Sequence, residues 1–366
     1  MVSQVASSAV VDTPTASNEN LLEVRDLRMH FPIRKGLFGQ VSGFVKAVDG
    51  VSFELKRGET LGLVGESGCG KSTIGRCIVR AYDITSGQML YRQEDGQVDD
   101  MAQLEGDRLR QLRKNIRMIF QDPYSSLNPR MTVYDNISEA LQVTGTISKS
   151  EIKDRVAYLL QRVGLRPEYI MRYPHAFSGG ERQRIVIARA LVTNPRIIVA
   201  DEAVSALDVS IRAQILNLLE ELQEEFQLTY LFISHDLSVI RHICDRVAVM
   251  YVGKLVETAS IDDLYRHPKH PYTEALLSST PIDNPSLRGT RDQIQLKGEV
   301  ADPSNPPKGC YFHPRCSHVQ DKCRTEEPVL VRTNGSENAL HAAACHFAND
   351  LTLSGVISDE NGAGTT

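Results

Sequence analysis

The residues of this chain best suited to chemistry run from Gly65 to Ser72, Gly-Glu-Ser-Gly-Cys-Gly-Lys-Ser, with Thr73 next. Glycines at 65, 68 and 70 leave little side-chain bulk, so the backbone amides can wrap a polyphosphate. Lys71 can then reach the β- and γ-phosphates, and the Ser72 hydroxyl offers a ligand to Mg²⁺. Gly65, Glu66, Ser67, Gly68, Cys69, Gly70, Lys71, Ser72 and Thr73 are therefore the candidate phosphate-binding set. A ligand-free glycine turn is the bland alternative, and the context argues against it. The apolar run at residues 59–64 suits a buried parallel strand, and Ile74, Cys77, Ile78 and Ala81 fall at the spacing of a helix face. Strand, glycine loop and helix follow in order, and the helix N-terminus adds its positive dipole end.

Two further strand ends carry reactive groups. Residues 196–200 are largely apolar and lead to Asp201 and Glu202. Adjacent acids on a strand point to opposite faces, so they should have different tasks. Asp201 is expected in the Mg²⁺ shell, leaving Glu202 to polarise an attacking water. Residues 229–234 form another apolar strand that delivers His235. Phe177-Ser178-Gly179-Gly180-Glu181 is a second glycine-rich element. Ser178 and Glu181 stand in a capping-box relation, ahead of Ile185, Val186, Ile187, Ala188 and Leu191, with Pro195 as the stop. Taken alone, this is a capped helix.

As a set, these motifs resemble the nucleotide-binding subunit of ATP-binding cassette (ABC) transporters. The family signature is usually Leu-Ser-Gly-Gly-Gln, from which the chain departs at Phe177 and Glu181 while keeping Ser178, Gly179 and Gly180. The resemblance implies an α/β fold: a RecA-like P-loop ATPase core, a β-rich N-terminal subdomain, a helical signature subdomain and a small Cys-containing C-terminal domain. It implies ATP hydrolysis by two cassettes meeting head to tail. Ser178, Gly179, Gly180 and Asp208 would then serve the partner's nucleotide, Asp208 through the Ser205-Ala206-Leu207-Asp208 contact loop. His235 becomes the residue that contacts the γ-phosphate, and Gln121, in Phe120-Gln121-Asp122-Pro123, the one that links Mg²⁺ and water to the transport partner. Catalysis is thus expected from Glu202, His235, Lys71 and Gln121, with Mg²⁺ held by Ser72, Gln121 and Asp201. Phe31 matches the aromatic that stacks on adenine, with Phe44 the runner-up and core packing open for either. Ala203 replaces a proline common after the catalytic glutamate. The absence of an Asn-Lys-x-Asp segment agrees with ATP over GTP.

The elements that must position these groups are legible in outline. Val45, Ala47, Val51, Phe53 and Leu55 alternate around an Asp49-Gly50 turn signal, suggesting strands joined there. Residues from about 101 to 180 read as helical and charged, with Arg108, Arg110, Arg113, Lys114 and Arg117 forming a solvated helix face. By family analogy this segment includes the helical subdomain, whose groove receives a helix of the membrane subunit. Asp208 is a good cap for the helix that follows. The expected divisions are 1–20, a disordered leader; 21–262, the nucleotide-binding domain; 263–347, the C-terminal domain; and 348–366, a flexible tail.

Composition sets limits. The 366 residues carry 41 Lys and Arg against 46 Asp and Glu, a net charge of -5, which gives no basic field for nucleic acid. No stretch approaches the ~18 uninterrupted apolar residues that suggest a transmembrane helix. No Lys or Arg precedes Arg25, and a secretory signal is not expected. Any membrane role must come through a partner.

Beyond about residue 262, His267-Pro268-Lys269-His270-Pro271-Tyr272 and Cys310-Tyr311-Phe312-His313-Pro314-Arg315-Cys316 resemble the C-terminal domain of oligopeptide/dipeptide importer ATPases. The resemblance covers about 21–347. It implies a second ATPase subunit, two membrane permeases, an extracytoplasmic substrate-binding protein and a peripheral place on the cytoplasmic face of the membrane. The insert Lys35-Gly36-Leu37-Phe38-Gly39 suggests the second of the two ATPase subunits. Cys310, Cys316, Cys323 and Cys345 follow a C-x5-C-x6-C-x21-C spacing, without the Cys-x2-Cys knuckles of zinc ribbons. Clustered thiols suggest a metal site. The family implies a [4Fe–4S] cluster, while zinc and unligated structural thiols stay open. Cys69, Cys77 and Cys244 read as packing residues. A soluble cassette ATPase of repair or translation is the alternative, and it usually carries a long coiled coil or two cassettes. A third reading makes the cysteine module a redox or iron sensor.

Overall fold

The computed structural model describes residues 20–36, 39–142, 148–279, 293–334 and 341–356. The leader, positions 37 and 38 of the insert and the tail beyond 356 lie outside the described residues. An N-terminal antiparallel sheet comes first. Strands β1 (Asn20–Lys35) and β2 (Gln40–Lys56) form a long ribbon; β3 (Thr60–Val64) departs for a second sheet. Strands β4 (Ser86–Arg92) and β5 (Val98–Asp100) complete the order β2-β1-β4-β5. Asp49-Gly50 is not a hairpin turn, contrary to the sequence expectation. Both residues lie inside β2 at a register irregularity opposite β1, where Asp26 and Gly50 take φ of 45° and 82°. Continuous pairing with β1 overrides the local signal, which supplies a bulge instead.

The second sheet adds β6 (Ile116–Ile119), β7 (Ile197–Asp201), β8 (Thr229–Ile233), β9 (Arg246–Tyr251), β10 (Lys254–Ser260), β11 (Val331–Arg332) and β12 (Ala342–Ala343), in the order β11-β12-β10-β9-β3-β8-β7-β6. From β9 to β6 all pairings are parallel. Every residue of β3, β7 and β8 is buried, as a parallel sheet covered on both faces demands. Alternation sorts their side chains between two cores: Ile198, Ala200, Tyr230 and Phe232 into one, Ile197, Val199, Leu231 and Ile233 into the other. The pairs Leu63↔Ile233 and Asp201↔Ile233 set the carboxyl ends of β3, β8 and β7 abreast. The loops leaving all three strands therefore open on one edge, the usual ligand crevice of such sheets.

Helix α1 (Lys71–Ile78) follows β3 and buries Ile74, Cys77 and Ile78. The stretch expected to be helical contains α2 (Gly106–Asn115), α3 (Pro123–Ser126), α4 (Val133–Gln142) and α5 (Lys149–Arg162), but also β6 at the edge of the second sheet. Arg117 consequently sits on a strand and not on the solvated helix face, and burial pulls its guanidinium below its usual range. Arg108 and Arg110 do lie on the exposed face of α2, paired with Asp99 and Asp107. Helices α6 (Gly179–Leu191), α7 (Val209–Phe226) and α8 (Leu237–Ile243) complete the cassette. Among the described residues no helix is long and apolar enough to cross a membrane.

The C-terminal segment is stitched onto the same sheet. β12 pairs with β10 through Glu257↔Ala343 and Thr258↔Ala342. The fully buried Glu257 carboxylate accepts from the amides of Lys269 (2.6 Å) and His270 (2.9 Å) and contacts His341 Nε2 at 2.7 Å. Removing a hydrogen-bond partner from such a buried group costs roughly 1–3 kcal/mol. Helices α9 (Ile261–Arg266), α10 (Pro271–Ser278) and α11 (Asp321–Thr325) belong to this segment. Residues 348–356, expected to be part of a flexible tail, pack back on it: the Val356 amide donates to Tyr265 O at 2.6 Å and the Ser354 amide to Glu274 Oε1 at 2.7 Å. A Cβ at Gly355 would lie 2.1 Å from Arg266 O, so only glycine fits that contact.

Candidate active site

The phosphate loop is a glycine-dependent cradle. Gly65, Gly68 and Gly70 have φ of 150°, 80° and 109°. A Cβ at Gly65 would meet Met250 O at 2.1 Å, and one at Gly70 would meet Ala47 O at 2.1 Å. The loop thus lies tight against β9 on one side and β2 on the other. Ser67 and Gly68 are exposed at its crest, and Thr73 is half-buried in the first turn of α1. Lys71 is buried, its ammonium donating to Gly65 O (2.7 Å) and Glu66 O (2.9 Å). Its carbonyl partners belong to the loop that it spans, so the charge is held ready inside the cradle. Cys69 Sγ lies 3.8 Å from the same ammonium, yet burial pushes this thiol up. Cys77 is pushed up to about 12 by burial, and Cys244 is raised too, which suits packing residues.

Ser72 Oγ donates to Asp201 Oδ1 at 2.8 Å, the two groups expected to share a cation. Burial raises the Asp201 carboxyl, opposed by that hydrogen bond. The neighbouring acid leaves by a route the sequence did not suggest. Asp201 ends β7, and Glu202 itself is left-handed with φ 49°, so the two acids diverge through that backbone turn and not by strand alternation. Such a conformation costs about 1–3 kcal/mol and is characteristic of functional sites. The turn is fixed by the Glu202 amide donating to Ile233 O (2.9 Å) and by Ser205 Oγ donating to Glu202 O (3.0 Å).

The Glu202 carboxylate is gripped from both sides. Gln121 Nε2 donates to Oε2 at 2.7 Å, and His235 Nδ1 lies 3.0 Å from Oε1. Three expected catalytic residues, from the loops after β6, β7 and β8, are therefore in direct contact. A groove beside them is lined by Ser72, Phe120, Gln121, Asp201, Glu139 and Arg189.

Ser178 caps α6 with both halves of the capping box: its Oγ accepts from the Glu181 amide at 3.3 Å, and its amide donates to Glu181 Oε2 at 2.9 Å. Hydrogen bonds to Ser178 hold the Glu181 carboxyl below its usual range. Nothing lies within 4 Å of a Cβ at Gly179, whereas one at Gly180 would meet Ile211 at 2.7 Å. Asp208 occupies the N-cap position of α7 but makes no side-chain cap bond, so the capping expectation for it is corrected. Its side chain is exposed instead. Phe31 pairs with Val45, two residues from the Ala47 carbonyl that abuts Gly70, and its ring meets Tyr82 edge-on at 5.5 Å. Phe44 is half exposed.

Two residues that touch the loop were missed from sequence. Tyr272 Oη accepts from the Glu66 amide at 2.9 Å, and Arg315 donates to both Glu66 carboxylate oxygens at 2.7 and 3.1 Å. Both lie in motifs that carried the family resemblance, but no local signal ties them to a loop more than two hundred residues earlier. The Glu66 amide is accordingly committed to the C-terminal segment. Cys310, Cys316, Cys323 and Cys345 line one small apolar pocket with Phe312 and Phe347. Burial pushes Cys310 up to about 12 and Cys345 up to about 11, and also raises Cys316. Among the described residues no three His, Cys, Asp or Glu are arranged to hold a metal ion.

Comparison with known proteins agrees with this geometry. A family model described as "ABC transporter" matches residues 48–205, and one described as "Oligopeptide/dipeptide transporter, C-terminal region" matches residues 256–323. The chain is 54% identical to the oligopeptide transport ATP-binding protein AppF of Bacillus subtilis, over 91% of this chain and 98% of that protein. It is 49% identical to the dipeptide transport ATP-binding protein DppF of Haemophilus influenzae, over 86% and 93%. The ATP-binding cassette MJ0796, solved as a dimer in a post-hydrolysis state with ADP and Pi, superposes with a TM-score of 0.56 at 26% identity, covering 66% of this chain and 98% of that one. With identity of this degree across nearly the full length of its relatives, the chain belongs to the oligopeptide/dipeptide branch of the ABC transporter ATP-binding subunits.

Proposed function

We propose that this chain hydrolyses ATP to drive import of di- or oligopeptides through membrane permeases, in the closing and reopening of a two-cassette dimer. One observation carries the catalytic reading: Glu202, set beside a phosphate cradle, is oriented by Gln121 and His235 together. Lys71 neutralises the phosphates, and Phe31 offers a face to the adenine. Water attacks the γ-phosphorus, the bond to the β-phosphate oxygen breaks, and Glu202 takes up the proton that water loses. Ser72 and Asp201, with Gln121, are the residues that would hold Mg²⁺, and the 2.8 Å contact between the first two fits that task. Bound Mg²⁺ would offset the charge on the transferred phosphoryl group. Ser178 and Asp208 are exposed and Gly179 is open, with Gly180 next to it in the first turn of α6 packed on Ile211, an edge suited to a facing cassette's nucleotide that supports a site shared between subunits.

The groove at Gln121 is where a permease helix would dock. Exposed Phe120 and the lining residues Leu127, Pro129 and Met131 offer apolar contact there, and Gln121 joins the groove to Glu202. On this reading the chain sits peripherally on the cytoplasmic face of the membrane, pairs with a related ATPase subunit, and serves an extracytoplasmic binding protein. The named roles of the relatives support peptides as cargo, and nothing in them favours a repair or translation ATPase. The test is native purification from membranes with identification of bound permeases, alongside MgATP hydrolysis. Lys71→Ala should abolish nucleotide binding or turnover; unchanged turnover would overturn the assignment.

For the cysteine pocket the reading is narrower. Four thiols lining one apolar pocket are what supports a [4Fe–4S] cluster bound by four thiolates; among the described residues no three donors are arranged to hold a metal ion, which weighs against a cluster and a zinc ion alike. Bound there, it would crosslink the segments that carry the four cysteines. Brown protein with broad absorbance near ~400 nm and stoichiometric iron is expected. Colourless, iron-free protein purified without oxygen would leave the thiols as packing residues.

A further inference from the structure

The contact between Arg315 and Glu66 has a sense beyond packing. A carboxylate in the second position of a phosphate loop is an electrostatic liability, because it stands beside the anion that the loop must bind. Arg315 answers it with a two-pronged pairing, 2.7 and 3.1 Å, from a side chain only 8% exposed. The arginine is itself held in place. Its guanidinium lies 6.0 Å from the Tyr251 ring, within an aromatic group in which Tyr251, Tyr272 and Phe312 pack at centroid separations of 4.8 to 5.4 Å. Tyr272 then takes the Glu66 amide, so the same aromatic group fixes the residue's backbone while the arginine fixes its side chain. The Glu66 carbonyl, in turn, accepts from Lys71. A chain of contacts thus runs from the C-terminal segment through Glu66 to the phosphate-binding lysine.

Resting on the nucleotide-site reading above, we infer that Arg315 is a positioning residue for ATP binding, which neutralises Glu66 and locks the phosphate loop in its receptive shape. It acts through Glu66 and touches no nucleotide itself. The inference gives the C-terminal segment a task in binding nucleotide that is separate from any cargo or permease. It also makes a prediction that simple packing does not. Losing Arg315 leaves the carboxylate of a phosphate-loop residue unpaired, so removing that carboxylate as well should restore affinity.

The test uses the full chain and the equilibrium dissociation constant of a fluorescent ATP analogue with Mg²⁺. Far-UV circular dichroism and the thermal midpoint are read alongside. Arg315→Gln should weaken binding by about tenfold, the scale of a lost charge-assisted pair. Arg315→Gln combined with Glu66→Gln should recover most of that loss, even where the thermal midpoint stays lowered. Arg315→Lys, which keeps charge but not the fork, should fall between. Binding by Arg315→Gln indistinguishable from wild type, or a double variant no better than the single, overturns the proposal. Should Arg315→Gln fail to fold, Arg315→Lys with and without Glu66→Gln makes the same comparison, with the same two readings. Wild type that fails to bind the analogue at all overturns the nucleotide-site reading and this inference with it. Wild type that binds while Arg315→Gln is unaffected overturns only the role of Arg315.

Discussion

Gln121 and Glu202, 81 positions apart in the chain, meet in a 2.7 Å hydrogen bond from the glutamine amide to the carboxylate Oε2. The other carboxylate oxygen meets His235 at 3.0 Å, so a single acid is aimed by two independent loops. If both partners serve to aim that acid, they act as a unit. Gln121→Ala and His235→Ala should each lower kcat by about 10- to 100-fold with a smaller change in KM for ATP, and the double variant should lose less than the product. Steady-state phosphate release measures this. Fully multiplicative losses would mean that the two residues do separate jobs.

Glu202→Gln keeps the size of the side chain but turns one acceptor oxygen into an amide donor and removes the base. Turnover should fall by about 10²- to 10⁴-fold, while ATP binding persists and a closed dimer accumulates. Size-exclusion chromatography with MgATP, run against phosphate release, reads both effects. A variant that turns over at the wild-type rate would remove Glu202 from the role of base.

The glycines of the phosphate loop are not equivalent. At Gly70 an added methyl would strike the Ala47 carbonyl at 2.1 Å, on a backbone with φ 109°. At Gly68 it would meet nothing within 4 Å, leaving only the cost of a left-handed φ of 80°. Gly68→Ala should therefore lose about 1–2 kcal/mol, whereas Gly70→Ala should lose about 3 kcal/mol or more or fail to fold. Urea denaturation monitored by circular dichroism ranks them, and equal losses would count against the tight packing of β2 on the loop.

Adenine stacking separates two aromatics. Phe31 lies on the hairpin that abuts Gly70, and Phe44 is half exposed on the partner strand. Phe31→Ala should weaken ATP binding by about tenfold, the scale of one lost base–aromatic stack, with Phe44→Ala near wild type. The reverse order in nucleotide titrations would hand the role to Phe44.

Much of the site was legible because its residues sit where local patterns are strongest. Apolar runs ending in Val64, Asp201 and Ile233 each proved to be a buried parallel strand, and the residues that follow them form the site. What local pattern could not show was pairing at a distance. The four residues of β6 are too short, and too closely flanked by basic residues, to stand out from a helical stretch; β7 alone makes them a strand. Asp49-Gly50 carries a strong turn signal, yet seventeen residues of β2 stay paired across it. Arg315 reaches Glu66 across 249 positions, and no periodicity encodes that. Asp208 has the right residue type and place for a cap, but its side chain turns outward.

The pairing of β10 with β12 carries a consequence for biogenesis. While the ribosome has yet to release Ala342 and Ala343, the nascent ATPase sheet ends at an open β10 rim with Glu257 lacking its histidine. Such a rim is a template for wrong partners. Closure of that rim therefore comes only once Ala342 and Ala343 have been made, well after the phosphate loop and the strands around it, and products truncated before them would expose it.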